Sequence, residues 1–183
     1  MAKKTTAFGI DIGGSGIKGA PVDLATGEFA ADRVRIPTPQ PSTPEAVASV
    51  LADLVSSFSL PKDAPVGVTF PAIVKRGVAY SAANVDDSWI GTDVAAVVRE
   101  ATGRKALVAN DADAAGYAEV AYGAAKGVQG LVMVVTLGTG IGSAMIYDGV
   151  LVPNAELGHL EIDGFDAETR ASSGVREREG WCI

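Results

Sequence analysis

Cysteine and histidine are nearly absent from the sequence, which contains one of each among its 183 residues, Cys182 and His159. A single cysteine excludes a disulfide framework within the chain and fits a reducing compartment, so we expect a cytoplasmic protein. A structural zinc site is built from several cysteine and histidine ligands, and this sequence cannot complete such a set. We therefore expect no zinc.

Positive charge is also scarce, because 15 Lys and Arg residues stand against 22 Asp and Glu residues and give a net charge of −7. Such a chain has no general attraction for nucleic acid or for an anionic membrane surface, so we expect neither as a partner. A polyanion would have to be bound locally, by backbone N–H groups and a few cations.

Long unbroken apolar runs are missing as well. The longest uncharged stretch, 127–147, is long enough to raise the question of a membrane span. Gly138, Gly140 and Gly142 interrupt it, with apolar segments on both sides. This pattern predicts two buried strands joined by a glycine turn rather than a transmembrane helix.

The sequence does contain enough apolar material for a core, since 48% of its residues are hydrophobic. The patterns predict strands over 7–12, 17–23, 29–36, 64–72, 106–110, 131–137 and 143–152. They predict one helix that starts at Pro44 with Thr43 as its N-cap, and further helices over 93–102, 111–123 and 166–179. This order indicates an α/β protein with a mixed sheet. A change of composition divides it into domains 1–124 and 125–183.

Two segments share one layout, an apolar strand, a glycine turn and a second apolar strand. The first, "GIDIGGSGIKGAPVD", matches the dinucleotide pattern G-x-G-x-x-G, but Gly19 and Pro21 follow where that pattern needs a helix. We interpret both segments as hairpins that present backbone N–H groups to phosphate, with glycine permitting unusual dihedrals and close approach. Lys18 would add a cation, and Asp11 could hold Mg²⁺. A plain hairpin that needs glycine for geometry alone remains the alternative.

Carboxylates and the one histidine supply the candidate chemistry. Asp111 follows the short strand "ALVAN" and begins a helix, which places a carboxylate at the carboxyl end of a strand, where α/β sites lie. It could accept the proton of a hydroxyl group as a general base, or it could cap the helix, as could Asn110. Glu156, His159 and Glu161 form a cluster suited to sugar hydroxyls, although a lone histidine can equally be a packed or capping residue.

Segments in this order resemble the motifs of the ROK family of sugar kinases. The segments are "DIGGSGIK" (11–18), "NDADAA" (110–115), "LGTGIG" (137–142) and "ELGH" (156–159). The resemblance runs from Phe8 to Trp181. Residues 82–93 and 153–161 are most similar to the branch of the family that uses polyphosphate.

The resemblance implies an actin-like, hexokinase-type fold of the ribonuclease H-like class, with a complete first domain and a partial second domain. It implies phosphoryl transfer from polyphosphate or ATP to the 6-hydroxyl of glucose, with Mg²⁺ as cofactor and Asp111 as general base. It assigns sugar binding to Asn84, Asn110, Asp111, Glu156, His159 and Glu168. Together with the two hairpins, it predicts phosphate binding at Gly13, Gly14, Ser15, Gly16, Lys18, Gly138, Thr139 and Gly140.

The sequence departs from the family at three places. Residues 162–168 lack the cysteines of the family's zinc motif, which favours the zinc-free branch. Ala72 stands where the family has glycine after proline, and it would strain the turn if that position needs a positive φ. Family members continue beyond Ile183, so we expect a fragment with weak or no kinase activity by itself. Related kinases dimerise through the second domain, which allows a homodimer here.

Other functions remain open at this point. The chain could be a sugar-binding fragment without activity, or a kinase or ATPase of the same superfamily that acts on an acyl group. Glu156 and His159 favour a sugar over an acyl substrate. The sequence does not decide between polyphosphate and ATP, or between glucose and mannose.

Overall fold

The computed structural model describes residues 6–138 and 140–180, and the chain divides after Asp111 into two compact units. Each unit combines helices with β-sheets, which confirms the predicted α/β class. The predicted domain boundary between residues 124 and 125 lies further along the chain and stays a prediction.

The first unit is built on a mixed sheet. In chain order its elements are β1 (Thr6–Ile12), β2 (Ile17–Asp23), β3 (Glu28–Phe29), β4 (Val34–Ile36), α1 (Pro44–Ser56), β5 (Val66–Phe70), β6 (Val74–Lys75), β7 (Val78–Ala79), α2 (Val94–Thr102) and β8 (Ala106–Asn110). The strand order is β3-β2-β1-β5-β8, and β4 also pairs with β2. Because β1, β5 and β8 run parallel to one another, their carboxyl ends lie along one edge of the sheet.

The sequence signals for α1 and α2 are confirmed. Thr43 caps α1, its hydroxyl oxygen accepting a hydrogen bond from an N–H of the first turn at 3.4 Å, and Pro44 stands where a missing N–H costs no hydrogen bond. α2 ends at Gly103, whose φ of 66° is left-handed. Leu51 of α1 and Val98 of α2 are fully buried, in one hydrophobic core with the strands.

The predicted strand over 29–36 is wrong as a single element, because the structure splits it into β3 and β4. Both pair antiparallel with β2: Phe29 of β3 lies opposite Val22, and Val34 of β4 lies opposite Gly19. Four residues separate Phe29 from Val34, whereas two separate Gly19 from Val22, so the split segment contains two extra residues. The extra residues bulge beside Pro21, which has no N–H to donate to the ladder.

The second unit contains smaller sheets and the remaining helices. Its elements are α3 (Asp111–Ala121), which begins at the division, β9 (Leu131–Leu137), β10 (Ile141–Tyr147), β11 (Val150–Val152), β12 (Glu161–Ile162), β13 (Phe165–Asp166), α4 (Glu168–Ala171) and α5 (Ser173–Glu179). β9 and β10 pair antiparallel, which confirms the predicted glycine hairpin. Of the helices that the structure describes, none is long and apolar enough to cross a membrane.

Two elements predicted for this unit are interrupted. The segment 143–152 is not one strand, because Asp148 and Gly149, with φ of 47° and 79°, form a two-residue turn between β10 and β11. Asp-Gly is a strong hairpin signal, so the interruption was readable from the sequence. The predicted helix 166–179 is divided by Ser172, which ends α4 and caps α5.

The three-stranded sheet β11-β10-β9 has one covered and one exposed face. α3 covers the first so closely that a Cβ atom on Gly116 would lie 2.5 Å from Cβ of Ala144. The residues that alternate with Ala144 project to the other side. This side, which we call the apolar face, exposes Leu131, Met133, Val135, Leu137, Tyr147, Val150 and Val152.

Candidate active site

The first glycine turn, Gly13–Gly16, follows the carboxyl end of β1. A hydrogen bond from the N–H of Gly13 to the carbonyl of Gly16 closes it at 3.2 Å. Two side chains donate to two of its other carbonyls, those of Gly13 and Ser15. The Thr38 hydroxyl donates to Gly13 at 2.5 Å, and Nη2 of Arg35 donates to Ser15 at 2.7 Å. The turn is therefore fixed by side chains from its own unit.

The structure corrects the reason for glycine in this turn. Gly13, Gly14 and Gly16 all have negative φ, so the predicted need for unusual dihedrals is wrong. Close approach is the reason. A Cβ atom on Gly14 would lie 2.8 Å from both Cβ and the carbonyl oxygen of Asn84, and one on Gly16 would lie 2.5 Å from Nε of Arg35.

The contact of Gly14 with Asn84 brings together two site residues that were predicted for different roles. Asn84 is a predicted sugar ligand and adopts a left-handed φ of 61°, which asparagine tolerates better than most residues. Gly14 is a predicted phosphate ligand. Candidate sugar-binding and phosphate-binding groups are thus packed against each other within the first unit.

Asp11 and Lys18 face each other across β1 and β2. Nζ of Lys18 lies 3.2 Å from Oδ2 of Asp11, and the Thr69 hydroxyl donates to Oδ1 of the same carboxylate at 2.9 Å. The Lys18 and Asp11 side chains are 34% and 47% exposed, so both charges remain accessible to a ligand from solution. The structure therefore joins the predicted cation and the predicted metal ligand in one ion pair.

The end of β8 holds the predicted general base. Asn110 is buried and donates from Nδ2 to the carbonyl of Ala72 at 3.2 Å, which ties β8 to the turn after β5. Asp111 follows as the first residue of α3 and is exposed. Ala72 itself has no positive φ, so alanine in place of the family's glycine introduces no backbone strain.

The second glycine turn joins β9 to β10. The N–H of Gly138 donates to the carbonyl of Gly140 at 2.9 Å. Ser173, at the start of α5, donates its N–H to the carbonyl of Gly138 at 2.9 Å, and its hydroxyl donates to the same oxygen. Thr139, a predicted phosphate ligand, lies outside the described residues. As in the first turn, the carbonyl side is held by the protein's own donors.

Glu168 lies against this second turn. Its Oε2 accepts the N–H of Ile141 at 3.0 Å, and a Cβ atom on Gly140 would lie 2.5 Å from the same oxygen. Glu168 was predicted as a sugar ligand, and the structure gives its carboxylate a contact with the predicted phosphate turn. Glycine at position 140 is what makes room for that carboxylate.

His159 is paired with a carboxylate that was not predicted. Its Nδ1 lies 2.8 Å from Oδ2 of Asp166, and the two side chains are 56% and 36% exposed. The hydrogen bond to Asp166 raises the pKa of His159, with smaller contributions from the charges of Glu168, Asp166 and Glu156. The same hydrogen bond lowers the pKa of Asp166.

The segment that carries Glu156 is anchored by buried side chains. Oδ2 of Asp113 accepts the N–H of Asn154 at 2.9 Å, and the Ser143 hydroxyl accepts the N–H of Leu157 at 2.9 Å. Glu156 itself is half-buried directly before the 3-10 turn that ends at His159. The carboxylate of Asp113 therefore has a structural contact inside the second unit.

Several residues that shape the candidate site were not predicted: Arg35, Thr38, Thr69, Asp166 and Ser173. Most of them depend on contacts between distant parts of the chain and carry no local signal. Ser173 is an exception, since Ser172 and Ser173 form a recognisable N-terminal pattern at the cap and first residue of α5.

The chain matches the model of the ROK family over residues 7–182. It is 53% identical over 175 residues to a polyphosphate glucokinase of Mycobacterium tuberculosis, covering 95% of this chain and 65% of that relative. It resembles the crystal structure of an inorganic polyphosphate/ATP-glucomannokinase from Arthrobacter sp. strain KM, with a TM-score of 0.88, 59% identity and coverage of 96% and 72%. A ROK family glucokinase from Streptomyces griseus, solved with glucose and AMPPNP, matches with a TM-score of 0.77, 28% identity and coverage of 94% and 59%.

These similarities establish that the chain belongs to the ROK family. Its fold is the actin-like, hexokinase-type fold of the family's sugar kinases, which confirms the expectation from the sequence motifs. The chain spans 65% of the length of the M. tuberculosis relative.

Proposed function

We propose that this protein transfers a phosphoryl group from polyphosphate or ATP to the 6-hydroxyl of glucose and so forms glucose 6-phosphate. The proposal is supported by the similarity to a polyphosphate glucokinase and to a polyphosphate/ATP-glucomannokinase. The observation that carries it is the edge of the first sheet. The glycine turn, the Pro71–Ala72 turn and Asp111 follow the carboxyl ends of the adjacent strands β1, β5 and β8.

Asp111 is proposed as the general base. A sugar hydroxyl is a weak nucleophile, and an exposed carboxylate within hydrogen-bonding reach can take its proton as the new P–O bond forms. The transferred phosphoryl group leaves the donor, whose terminal oxygen retains the bonding electrons. Asn84 and Asn110 are proposed to bind sugar hydroxyls, and the resemblance to the family proposes Glu156, His159 and Glu168 for the same role.

The first glycine turn is proposed to bind donor phosphates, with Gly138 and Gly140 of the second turn in the same role. Lys18 lies two residues beyond the first turn, and Arg35 donates to its Ser15 carbonyl with one of its nitrogens. The guanidinium of Arg35 is exposed, so it supplies a second cation for a polyphosphate chain beside the one predicted from the sequence. Two cations and a glycine turn provide the local attraction for a polyanion that the net charge of −7 does not.

Mg²⁺ is proposed as the cofactor, held by Asp11. Within the described ranges 6–138 and 140–180, no group of three or more His, Cys, Asp or Glu side chains is arranged to hold a metal ion. Asp11 fits Mg²⁺ nonetheless, because Mg²⁺ in such sites takes one or two carboxylates and completes its ligands with water and substrate phosphates. When bound, the ion would neutralise charge on the donor phosphates.

The remaining parts of the proposal are the location, the substrates and the oligomeric state. A cytoplasmic location is proposed because the sequence has a single cysteine, and glucose with polyphosphate or ATP would be the substrates. A homodimer is proposed on the family resemblance alone.

Replacing Asp111 by Asn tests the proposal. We expect glucose 6-phosphate formation, followed with glucose and polyphosphate or ATP, to fall at least about a hundredfold, because proton abstraction by a positioned base contributes at least that factor. Calorimetric titration with glucose should show unchanged affinity within about threefold, since the amide oxygen can still accept a hydrogen bond from the sugar hydroxyl.

Exposed Asp63 provides the control, because Asp63→Asn makes the same charge change away from the predicted site residues. Full activity in Asp111→Asn would refute the role of the base. Glucose binding without any transfer in the unmodified protein would favour the sugar-binding alternative or an inactive fragment, and the absence of glucose binding would contradict the proposed function.

A further inference from the structure

Asp166 stands at the end of β13 and divides its two carboxylate oxygens between two predicted sugar ligands. Oδ2 lies 2.8 Å from Nδ1 of His159, and Oδ1 accepts the backbone N–H of Glu168 at 3.0 Å. The carbonyl of Asp166 accepts the Thr169 hydroxyl at 2.7 Å. A single residue therefore holds the histidine ring and the first turn of α4.

We propose that Asp166 is a positioning residue of the candidate sugar site and orients both His159 and Glu168 for hydroxyl binding. This inference rests on the proposed function, because it takes those two residues as sugar ligands. Asp166 itself is assigned no contact with the sugar.

The contact with Asp166 fixes the tautomer of His159. A carboxylate accepts hydrogen bonds and does not donate them, so Nδ1 of His159 must carry the proton that it shares with Asp166. In the neutral ring the lone pair then lies on Nε2, on the far side of the ring, where it can accept a hydrogen bond from a sugar hydroxyl. Without Asp166 the ring would be free to adopt the other tautomer and other orientations.

The contact with Glu168 is made through the backbone of α4. α4 is a single turn, so the contact of Asp166 with the N–H of Glu168 is a large part of what fixes its start. Oε2 of Glu168 continues to the N–H of Ile141, directly after the second glycine turn. Hydrogen bonds thus lead from His159 through Asp166 and Glu168 to the turn that is proposed to bind phosphate.

The short hairpin of β12 and β13 holds Asp166 in place. Asp166 pairs with Glu161 across β12 and β13, and the N–H of Ala167 donates to the carbonyl of Leu160 at 2.9 Å. The charged groups that act on His159 are Asp166, Glu168 and Glu156, all acidic. The guanidinium of Arg170 lies 3.7 Å above the ring of Phe165, on the same hairpin.

The first test needs no substitution. His159 is the only histidine, so a protein without an affinity tag gives one set of histidine ring signals by NMR. We expect the ring nitrogen shifts, recorded above the pKa of His159, to show the proton on Nδ1. A predominant Nε2–H form would overturn the inference, whether or not the protein proves to be a kinase.

The second test compares two variants of the hairpin. Asp166→Asn removes the charge next to His159, while Asp163→Asn removes a charge from the turn of the same hairpin, where the φ of 53° suits asparagine. We expect Asp166→Asn to lower the pKa of His159 toward 6.5 and to weaken glucose binding about tenfold, with kcat affected less than KM in any glucose phosphorylation measured. Asp163→Asn should change neither quantity.

The outcomes separate the inference from the proposed function. Equal His159 pKa values in the two variants, or glucose affinity unchanged in Asp166→Asn, would overturn the positioning role. If the unmodified protein does not bind glucose, the proposed function fails, and the Nδ1–H form of His159 still decides whether Asp166 orients the ring. Backbone NMR spectra of each variant verify that it is folded. If Asp166→Asn does not fold, the His159 tautomer in the unmodified protein still tests the positioning role.

Discussion

Gly14 shows how the size of one residue controls the candidate site. It has no positive φ, so it does not use the left-handed conformation that glycine permits. What excludes a side chain is Asn84, whose Cβ and carbonyl oxygen would both lie 2.8 Å from an added Cβ. The steric limit at Gly14 is therefore set by a loop 70 positions away in the sequence.

We predict that Gly14→Ala lowers the free energy of unfolding by about 1–3 kcal/mol, because the new methyl group must displace the backbone of Asn84. Urea unfolding measures this change. Gly67→Ala is the matched control, since Gly67 lies in β5 with no atom within 4 Å of an added Cβ, and alanine should be neutral or stabilise the strand by about 0.5–1 kcal/mol. Equal stability of the two variants would contradict the steric argument.

The residues missed from the sequence differ from those that were found in one physical respect. Lys18 and Asp111 have a local context, a glycine turn and a strand end, that predicts their surroundings. Arg35 reaches Ser15 only because β4 pairs with β2 after a bulge, and no local pattern predicts that register. Asp166 lies near His159 in sequence, but its choice of partner depends on the β12–β13 hairpin.

At the scale of secondary-structure elements, local chemistry predicts more. The Thr43-Pro44 start of α1 and the Gly103 end of α2 follow from backbone hydrogen bonding alone, and both are confirmed. The prediction errors concern where a strand is interrupted. Apolar patterns span the bulge opposite Pro21 and the turn at Asp148-Gly149, although the second of these carried a turn signal that should have divided the strand.

The two faces of the β11-β10-β9 sheet lead to a prediction about this element. Met133 belongs to the apolar face and is 51% exposed, whereas Ala144 faces α3 and is fully buried. We expect Met133→Glu to change the free energy of unfolding by less than about 0.5 kcal/mol and to reduce the binding of an apolar dye such as ANS.

Ala144→Glu, the matched variant on the covered face, should destabilise the second unit by about 3 kcal/mol or more, because it buries an unpaired carboxylate against α3. Urea unfolding followed by circular dichroism distinguishes the two variants. If Met133→Glu were as damaging as Ala144→Glu, the apolar face would be covered in solution and the assignment of faces would be wrong.

For the whole molecule, the His159–Asp166 pair predicts how stability depends on pH. The pKa of His159 is raised from 6.5 by folding, so its contribution is complete below pH 6.5 and is lost as the pH rises through the folded value. The pKa of Asp166 is lowered from 3.8, so its contribution is present above pH 3.8 and is lost as the pH falls through the folded value. The pair should stabilise the protein most between these limits.

The measurement compares urea unfolding of the unmodified protein with Asp166→Asn as the pH is raised to about 8. We expect the difference in unfolding free energy to be largest near pH 5–6 and to shrink above the pKa of His159. The contribution is modest because both side chains are partly exposed. The same comparison with Asp163→Asn should show no such pH dependence, and a difference that grows toward pH 8 would contradict the expected loss of the pair's contribution.

The close fit of Gly14 against Asn84 also has a consequence for attempts to alter the proposed sugar kinase. Positions in direct contact do not vary independently, so changes at 14 and 84 will show strong epistasis. Randomising position 84 would move the backbone that contacts the first glycine turn, because most residues tolerate its left-handed φ of 61° less well than asparagine does. Since the atoms of residue 84 that limit Gly14 are Cβ and the backbone carbonyl oxygen, a smaller side chain at 84 would not make room for a side chain at 14. Libraries aimed at acceptor and donor selectivity should therefore be built and screened jointly.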